Sequence, residues 1–341
     1  MIPLLHAPAR PDPDLSDLPV QDETPHPYPL PVSAPFEVPA ICITPTYDGS
    51  GSVTHPSVVD MVAVTGEPFR GWRYWCGITP YYAYDDTLEN PSILVSNNGY
   101  HWHVPHGLIN PLDDPKWSPE PAGKFNSDTH LVWDPDREKF WLYWRRSHEM
   151  VHAASSADGI QWDMHFCVVG WIRTAGASQL ASQVIERVDR DHWVMWGGEY
   201  GTRDDTNGTT YWTAPHPLGP WAKQGQTTWT GGLADNRWHF DMKWDTDAQA
   251  WFSLANISKV VSSTSRNPIF AAVSRDGVNW TAATDPVIDD GHCYRPAIFR
   301  DPAAPDFYNV WYPNRQPGRG IGYQWWIKHT RIPRSVWTDL L

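Results

Sequence analysis

Short runs of alternating apolar and polar residues cover most of the chain, and clusters of Gly, Pro, Asn and Asp separate them. From residue 39 onward these runs are rich in Val, Ile, Trp and Tyr, and almost none has the spacing of an amphipathic helix. Period-two alternation over short segments predicts β-strands joined by turns. Residues 1–38 are instead rich in Pro and Asp without periodicity, which predicts an extended Pro-rich N-terminal arm.

One turn signature recurs along the β region. Each copy follows an apolar strand, begins with Ser, carries an Asn-Gly or Asp-Gly pair and ends with Trp; the copies are residues 96–102, 156–162 and 274–280, with a degenerate fourth at 213–221. The Asn/Asp-Gly pair supplies the positive φ angles of a tight turn. A strand, a polar hairpin and an aromatic-rich strand precede each signature, so the repeated unit is a small antiparallel sheet.

The complete unit occurs five times, with equivalent first-strand positions at residues 55, 128, 180, 239 and 295. Units of this length and strand content are typical of propeller blades. We therefore predict an all-β, five-bladed β-propeller over residues 39–341. The strand at residues 40–45 is expected to complete the last blade and close the ring.

In such a propeller, the starts of the first and third strands and the ends of the second strands open on the same face. This rule collects four carboxylates, three imidazoles, one guanidinium and one amide on one face: Glu89, Asp128, Glu199, Asp241, His55, His130, His239, Arg295 and Asn90. Polar groups around a channel can simply satisfy one another and hold water. Convergence of this many charges nevertheless favours a functional site, because burying unused charges costs free energy. Trp72 and Tyr81, beside this face, offer flat rings for sugar C–H groups.

Other chemistries have weaker support. The chain has no Gly-rich phosphate loop, no His-Glu-x-x-His zinc helix and no Gly-x-Ser-x-Gly elbow. His55, Asp128, His130, His239 and Asp241 include the ligand types of a divalent metal, but they are spread over three units with no spacing rule. We therefore predict a site without a cofactor and keep a divalent ion in the central channel as the lesser alternative.

The amino-acid composition excludes some classes of binding partner. The net charge of −13, from 26 basic and 39 acidic residues, argues against proteins that track nucleic-acid phosphates or bind anionic membranes. No apolar run approaches the roughly 18 residues that a membrane span needs. The N-terminus lacks a basic segment followed by an apolar one, so no signal peptide is predicted.

The Ser-x-Asp-Gly-x-x-Trp strands, the Trp-Asp-Pro-Asp hairpin at residues 133–136 and the Gly-Pro-Trp copy at 219–221 resemble five-bladed propeller glycoside hydrolases of the arabinanase, xylosidase and fructosidase clans. More narrowly, residues 74–81, 89–93, 107–112 and 126–131 are similar to uncharacterised propeller proteins encoded among bacteriophage tail genes. The clan resemblance implies one carboxylate at the first-strand start of each of blades 1 to 3. Only Asp128 matches, because His55 and residues 178–180 occupy the other two starts.

Two hypotheses follow. In the first, the protein is a glycoside hydrolase that cleaves a bacterial cell-surface polysaccharide, such as an arabinan or arabinogalactan furanoside, with two carboxylates. Asp128 and Asp241 are the predicted catalytic pair and Glu89 the next candidate, whereas the predicted substrate-binding residues are His55, Asn90, His130, Glu199, His239, Arg295, Trp72 and Tyr81. In the second, the protein is a non-catalytic glycan-binding phage tail protein, whose arm contacts other tail or cell-surface proteins. Both imply an extracellular or virion-associated location.

Overall fold

A computed structural model describes residues 39–117, 125–147, 150–170, 179–200, 208–233, 237–257, 267–316 and 324–341. The prediction of an N-terminal arm at residues 1–38 lies outside these described residues. The described residues form five sheets whose strands are antiparallel except for one pair, and the prediction of an all-β, five-bladed β-propeller is confirmed.

The strands divide among the blades as the repeats predict. The first described strand is β1 (Ala40–Ile41), and blade 1 contains β2 (Val53–Asp60), β3 (Tyr74–Pro80) and β4 (Ser92–Ser96). Blade 2 contains β5 (Asn126–Asp134), β6 (Lys139–Arg146), β7 (Met150–Ser156) and β8 (Asp163–Gly170). Blade 3 contains β9 (Gln179–Asp189), β10 (His192–Tyr200), β11 (Gly208–Ala214) and β12 (Ala222–Gln226).

Blade 4 contains β13 (Thr228–Thr230), β14 (Arg237–Asp245), β15 (Ala250–Ile257), β16 (Ile269–Ser274) and β17 (Asn279–Ala282), with β13 parallel to β17 at its outer edge. Blade 5 contains β18 (Ala297–Arg300), β19 (Phe307–Gln316) and β20 (Gln324–Pro333). The ring closes because β1 pairs with β20, through Ala40 opposite His329 and Ile41 opposite Lys328. The expectation that a strand after the arm completes the last blade is therefore confirmed at residues 40–41.

Helical structure in the described part of the chain is confined to short segments. The described α-helices are α1 (Met61–Thr65), between β2 and β3, and α2 (Ser335–Thr338), which follows β20. Single 3-10 turns occur at Asp86–Leu88, Pro115–Trp117 and Gly231–Leu233. None of the helices in the described part has the length and apolarity required to cross a membrane.

Aromatic and aliphatic side chains fill the spaces between blades, and the repeated turn contacts the neighbouring blade there. The carbonyl of Gly99 accepts a hydrogen bond of 2.8 Å from Trp311 Nε1 of blade 5, and the carbonyl of Gly277 accepts one of 2.7 Å from Trp196 Nε1 of blade 3. The turn signature therefore serves as an inter-blade contact as well as a turn. These contacts fix the blades around one axis, and their first strands line a central channel.

Candidate active site

The first strands of blades 1 to 4 each place one polar side chain at one end of the central channel, and we call these four side chains the mouth ring: His55, Asp128, Ser182 and His239. A β-bulge interrupts the register of β2, β5, β9 and β14 at this level. His55, Asp128 and Ser182 adopt φ angles of 52°, 58° and 51°, which residues other than glycine rarely adopt. Bulges redirect side chains, and strain of this kind concentrates at functional sites.

The alignment of the five repeated units was wrong by two residues in blade 3, where it took residue 180 as the equivalent of His55. In β9, Ala181 pairs with Gly198 and Val184 with Trp196, so Ser182 and Gln183 form the bulge. Ser182 therefore occupies the mouth ring. A shift of two residues keeps the same side of a strand, so period-two alternation cannot detect the error.

His55, Asp128 and His239 converge at the mouth of the channel. His55 Nε2 lies 2.9 Å from Asp128 Oδ1, and His239 Nδ1 lies 3.5 Å from the same oxygen. All three side chains are buried, and one potential ligand atom from each lies within 4.8 Å of the others. His55 Nε2, Asp128 Oδ1 and His239 Nε2 have no hydrogen-bond partner among the described residues, so the short contact lacks hydrogen-bond alignment.

These three residues fit a divalent cation. Two imidazoles and a carboxylate are a ligand set of catalytic zinc sites, and the same donors suit several other divalent ions. Buried polar atoms without partners are rare, and an unplaced ion is one explanation for them. Burial lowers the pKa of both His55 and His239 despite the nearby Asp128 carboxylate. The imidazoles are therefore neutral near pH 7, as metal ligands must be.

The orientation of both imidazoles is set by hydroxyl groups. His55 Nδ1 forms a 2.7 Å hydrogen bond with Thr79 Oγ1 of β3, and His239 Nδ1 forms a 2.8 Å hydrogen bond with Ser182 Oγ. Hydrogen bonds on the second ring nitrogen hold a ligating imidazole in place and select its tautomer. The bulged Ser182 thus contributes to the site through His239.

Asp128 is held by donors on one of its two oxygens. Arg145 Nε donates to Asp128 Oδ2 at 2.6 Å, and the backbone N–H of Ser182 donates to the same oxygen at 3.1 Å. Burial alone would raise the pKa of Asp128, but Arg145 and the two neighbouring histidines hold the pKa well below its usual range. Asp128 is therefore ionised, with Oδ1 directed at the histidines.

Glu89 lies on the other side of the His55 ring, with Oε1 3.8 Å from His55 Nδ1. Its burial, together with the charge of Asp128, raises the pKa of Glu89 well above its ordinary value, and Arg145 only partly opposes this. The site therefore contains one carboxyl group that ionises readily and one that tends to keep its proton. Adjacent Asn90 donates from Nδ2 to Tyr47 Oη at 2.9 Å, which anchors the segment that carries Glu89.

A second polar cluster, which we call the inner cluster, lies deeper in the channel and consists of His130, Glu186, Asp241, Lys243 and Arg295. Arg295 Nη2 contacts His130 Nδ1 at 3.1 Å, and His130 Nε2 lies 3.5 Å from Glu186 Oε1. Lys243 Nζ contacts Glu186 Oε1 and lies 3.8 Å from Asp241 Oδ1. His130, Glu186 and Asp241 have metal-ligand types at suitable spacing. The Lys243 ammonium already compensates these carboxylates, so the mouth ring is the better metal site.

The structure thus separates the two predicted catalytic aspartates into different groups. Asp241 Oδ2 accepts a 2.8 Å hydrogen bond from the backbone N–H of Ile298 in blade 5. The equivalent residue of blade 1, Ser57, accepts one of 2.8 Å at Oγ from the N–H of Leu131 in blade 2. Asp241 therefore links blade 4 to blade 5, and its catalytic role stays a prediction.

The remaining predicted residues lie farther out. Tyr81 directly follows β3 on the face of the mouth ring, and its backbone N–H donates to Ser52 O at 2.9 Å. Trp72 was placed on this face wrongly, because it precedes β3 at the opposite end of the strand, where its ring lies 5.6 Å from that of His103. Glu199 pairs with Gly208 near the mouth-side end of β10, but its side chain lies outside the described residues.

Sequence reasoning missed Arg145, Ser182 and Tyr294. The Tyr294 ring lies 4.1 Å from that of His239 and 5.1 Å from that of His55, so it forms a wall of the site. Its position directly before Arg295 was a usable signal. Arg145 stood at the end of a second strand, where the propeller rule places it on this face, but nothing in the sequence paired it with Asp128.

Comparison with known proteins gives one related sequence and many related folds. No protein-family model matches the chain. An A type blood N-acetyl-α-D-galactosamine deacetylase from Flavonifractor plautii is 25% identical, over 76% of this chain and 40% of the relative's own length. The chain therefore spans less than half of that curated relative.

Solved structures establish the fold. An N-acetylgalactosamine deacetylase from F. plautii, in complex with blood group B trisaccharide, superposes with a TM-score of 0.74 at 20% identity, covering 90% of this chain and 99% of that one. An α-L-arabinanase from Cellvibrio cellulosa gives 0.57 at 9% identity, over 82% and 91% of the two chains. An α-L-arabinofuranosidase from Podospora anserina, in complex with cellotriose, gives 0.52 at 9%, over 86% and 96%. The glycoside hydrolase-like fold is thus confirmed, whereas arabinan specificity is not.

Proposed function

We propose that this chain is a carbohydrate deacetylase, which hydrolyses the N-acetyl group of an amino sugar in a glycan with the help of a divalent cation. The observation that carries the proposal is the convergence of His55, Asp128 and His239 with three unpartnered ligand atoms. The relative from F. plautii, named as a deacetylase, supports the reaction type. Its substrate, N-acetyl-α-D-galactosamine, is our first candidate substrate.

His55 Nε2, Asp128 Oδ1 and His239 Nε2 are the atoms that would hold the cation. When bound, such an ion polarises a carbonyl oxygen and lowers the pKa of water. The sequence analysis ranked a metal behind a site without a cofactor. The mouth ring favours the metal, because it brings one ligand atom from each of two imidazoles and a carboxylate within 4.8 Å of one another, and Asp128 Oδ1 has no hydrogen-bond partner among the described residues.

Glu89 supplies the proton transfer that amide hydrolysis requires. Water oxygen adds to the acetyl carbonyl carbon, the C–N bond breaks, and acetate and a free amine leave. Glu89 takes the proton from the attacking water and returns one to the departing nitrogen. Burial raises the pKa of Glu89, which makes its carboxylate a stronger base and lets its carboxyl group hold a proton for the departing nitrogen. Arg145 keeps Asp128 ionised meanwhile, and Tyr294 provides a flat wall against which a sugar ring can pack.

Acetate release tests the proposal directly. The purified chain would be incubated with glycans that end in N-acetylgalactosamine or N-acetylglucosamine, with zinc, manganese, cobalt or nickel and with a chelator. We expect acetate and a free amino sugar in the presence of one of these ions, loss of both with chelator, and loss in His239→Ala. His192→Ala removes an exposed histidine and is the matched control. Metal-independent release, or full activity in His239→Ala, contradicts the proposal.

A glycoside hydrolase remains the second candidate. Glu89 and Asp128 have pKa values that shift in opposite directions and lie on either side of His55, as an acid and a nucleophile or base would. The fold is that of arabinanases and arabinofuranosidases. Release of oligosaccharides from arabinan or arabinogalactan, abolished in Asp128→Asn, would favour this candidate over deacetylation.

Binding without turnover is the third outcome of the same assays. The solved relatives bind a trisaccharide and cellotriose, which supports a carbohydrate ligand in either case. Attachment to a phage tail and partners for residues 1–38 are proposals that belong with this outcome, whereas an extracellular or virion-associated location is proposed for the glycoside hydrolase as well. A glycan that binds the wild-type chain and leaves unchanged would support recognition without turnover.

A further inference from the structure

The channel ends, opposite the mouth ring, in a separate cavity of about 330 Å3. All five first strands contribute to its lining, with Val59, Trp133, Glu186, Trp244 and Phe299. These residues lie farther along the strands that begin at the mouth ring, so the cavity opens on the opposite face of the propeller. The inner cluster separates the two ends of the channel.

Aromatic rings form much of the cavity wall. Trp244 is 39% exposed although it is a large apolar side chain, and its ring meets that of Trp251 edge-on at 5.3 Å. Trp133 and Phe299 add two further flat surfaces. The wall thus offers apolar faces to a ligand.

The charged groups of the lining are already paired. Lys243 Nζ contacts the Glu186 carboxylate at the inner end. Arg187 and Arg300 are paired with aspartates of the adjacent hairpins. An ion entering the cavity would therefore meet no uncompensated charge, whereas the paired groups still offer donors and acceptors to a neutral polar ligand.

We propose that this cavity is a second carbohydrate site that binds one neutral sugar ring without acting on it. A sugar ring presents apolar C–H faces to indole rings and hydroxyl groups to paired charges, which is the combination that the lining provides. The volume lies near the lower end of the range of about 300–1,000 Å3 for ligand pockets, which fits one ring rather than a chain. The inference does not depend on the deacetylase activity.

The test measures binding of methyl α-D-galactopyranoside and methyl α-D-glucopyranoside by calorimetry and by saturation-transfer NMR, in the His239→Ala protein so that the mouth-ring site is impaired. We expect saturable binding, and an affinity about tenfold weaker when Trp244→Ala is added, since one aromatic platform is lost. Phe166→Ala, which removes a 63% exposed ring from blade 2, is the matched control and should bind as its parent does.

Three results would overturn the proposal: no binding of either glycoside, equal binding in Trp244→Ala, or tighter binding of glucuronate than of the neutral glycosides. If Trp244→Ala does not fold, as judged by circular dichroism, Trp244→Gln replaces it, because a polar amide at an exposed position keeps the length without the ring. Acetate release is not part of this test, so failure here and failure of the proposed reaction are distinguishable.

Discussion

Asp128 shows how neighbouring donors determine what one buried carboxylate can do. Its Oδ2 accepts from Arg145 and from the Ser182 backbone, while its Oδ1 faces two imidazoles with no hydrogen-bond partner in the described chain. Burial disfavours the charged form of Asp128, and the Arg145 guanidinium opposes this effect. The metal-binding capacity that we propose for the mouth ring therefore depends on Arg145, which cannot itself bind a cation.

Arg145→Met tests this dependence. The pKa of Asp128 is lower in the folded protein than the value of about 3.9 in the unfolded chain. The ion pair with Arg145 therefore stabilises the fold fully at pH values above about 3.9, and this stabilisation is lost as the pH falls through the folded pKa. We expect the variant to lose about 3 kcal/mol of unfolding free energy at pH 7, because an unpaired buried charge remains. The deficit should shrink toward pH 4 as the variant's Asp128 takes up a proton. Urea unfolding at pH 7 and pH 4 measures the difference in unfolding free energy between the variant and the wild-type protein. Arg190→Met, at an exposed residue, is the control. A difference that grows at low pH would contradict the ion pair between Arg145 and Asp128.

Glu89→Gln separates proton transfer from metal binding. The amide keeps the size of the side chain but cannot accept or return a proton. We expect the deacetylation rate to fall by about 100-fold to 10,000-fold, the usual contribution of a general acid–base group, while affinity for the cation is kept. Steady-state kinetics and metal titration of the same preparation provide the measurements. A parallel loss of metal affinity would instead make Glu89 a ligand.

At the scale of the secondary-structure elements, the repeated turn joins adjacent blades. Its glycine adopts a positive φ, and the absent Cβ leaves room for an indole ring of the neighbouring blade, as with Gly159 beside Trp75. At two other copies the glycine carbonyl also accepts a hydrogen bond from a neighbouring indole. The Asp-Gly or Asn-Gly pair is thus required by inter-blade packing as well as by turn geometry.

Gly159→Ala should therefore destabilise the protein more than backbone strain alone predicts. A Cβ at residue 159 would lie 2.2 Å from a Trp75 ring atom, whereas one at Gly49, which has the same φ of 74°, would meet nothing within 4 Å. We expect a loss of about 1 kcal/mol for Gly49→Ala and a further 1–3 kcal/mol, roughly, for Gly159→Ala. Denaturant unfolding of the two variants side by side measures the difference. Equal losses would mean that Trp75 moves aside freely.

The repeats predict the number and order of the strands in each blade, but they do not predict the β-bulges that set the position of the site residues. The turn signature and hairpins give strand order and number, because both depend on residues next to each other in the chain. The blade 3 error at Ser182 arose where an alternation pattern is unchanged by a two-residue shift. Tyr294 was missed for a different reason: its ring contacts His239 and His55 of other blades, and the sequence does not show which side chains meet across the axis. Arg145 and Asp128 lie on paired strands of blade 2, but the β-bulge at Asp128 changes which side chains of those strands meet.

At the scale of the whole molecule, the ring brings distant segments to one point. His55, Asp128 and His239 come from blades 1, 2 and 4, and Arg145 and Ser182 set their orientation from the second strand of blade 2 and the first of blade 3. Closure of the ring by β1 and β20 fixes the distances among all of them. A ligand held by three blades is therefore bound by the folded ring and not by its separate parts.

This dependence predicts that divalent cations stabilise the protein against unfolding. A cation that binds only the folded ring at 100 times its dissociation constant adds about 2.7 kcal/mol to the free energy of unfolding, which raises Tm by several degrees in a protein of this size. We expect the rise with zinc, manganese, cobalt or nickel, its reversal by chelator, and its absence in His239→Ala but not in His192→Ala, whose side chain is exposed. Scanning calorimetry measures Tm directly. If Tm rises equally in His239→Ala, the cation binds elsewhere, and Glu186→Gln then tests the inner cluster. If no ion changes the Tm of the wild-type protein, the mouth ring holds no metal. The two-carboxylate mechanism of a glycoside hydrolase then gains support.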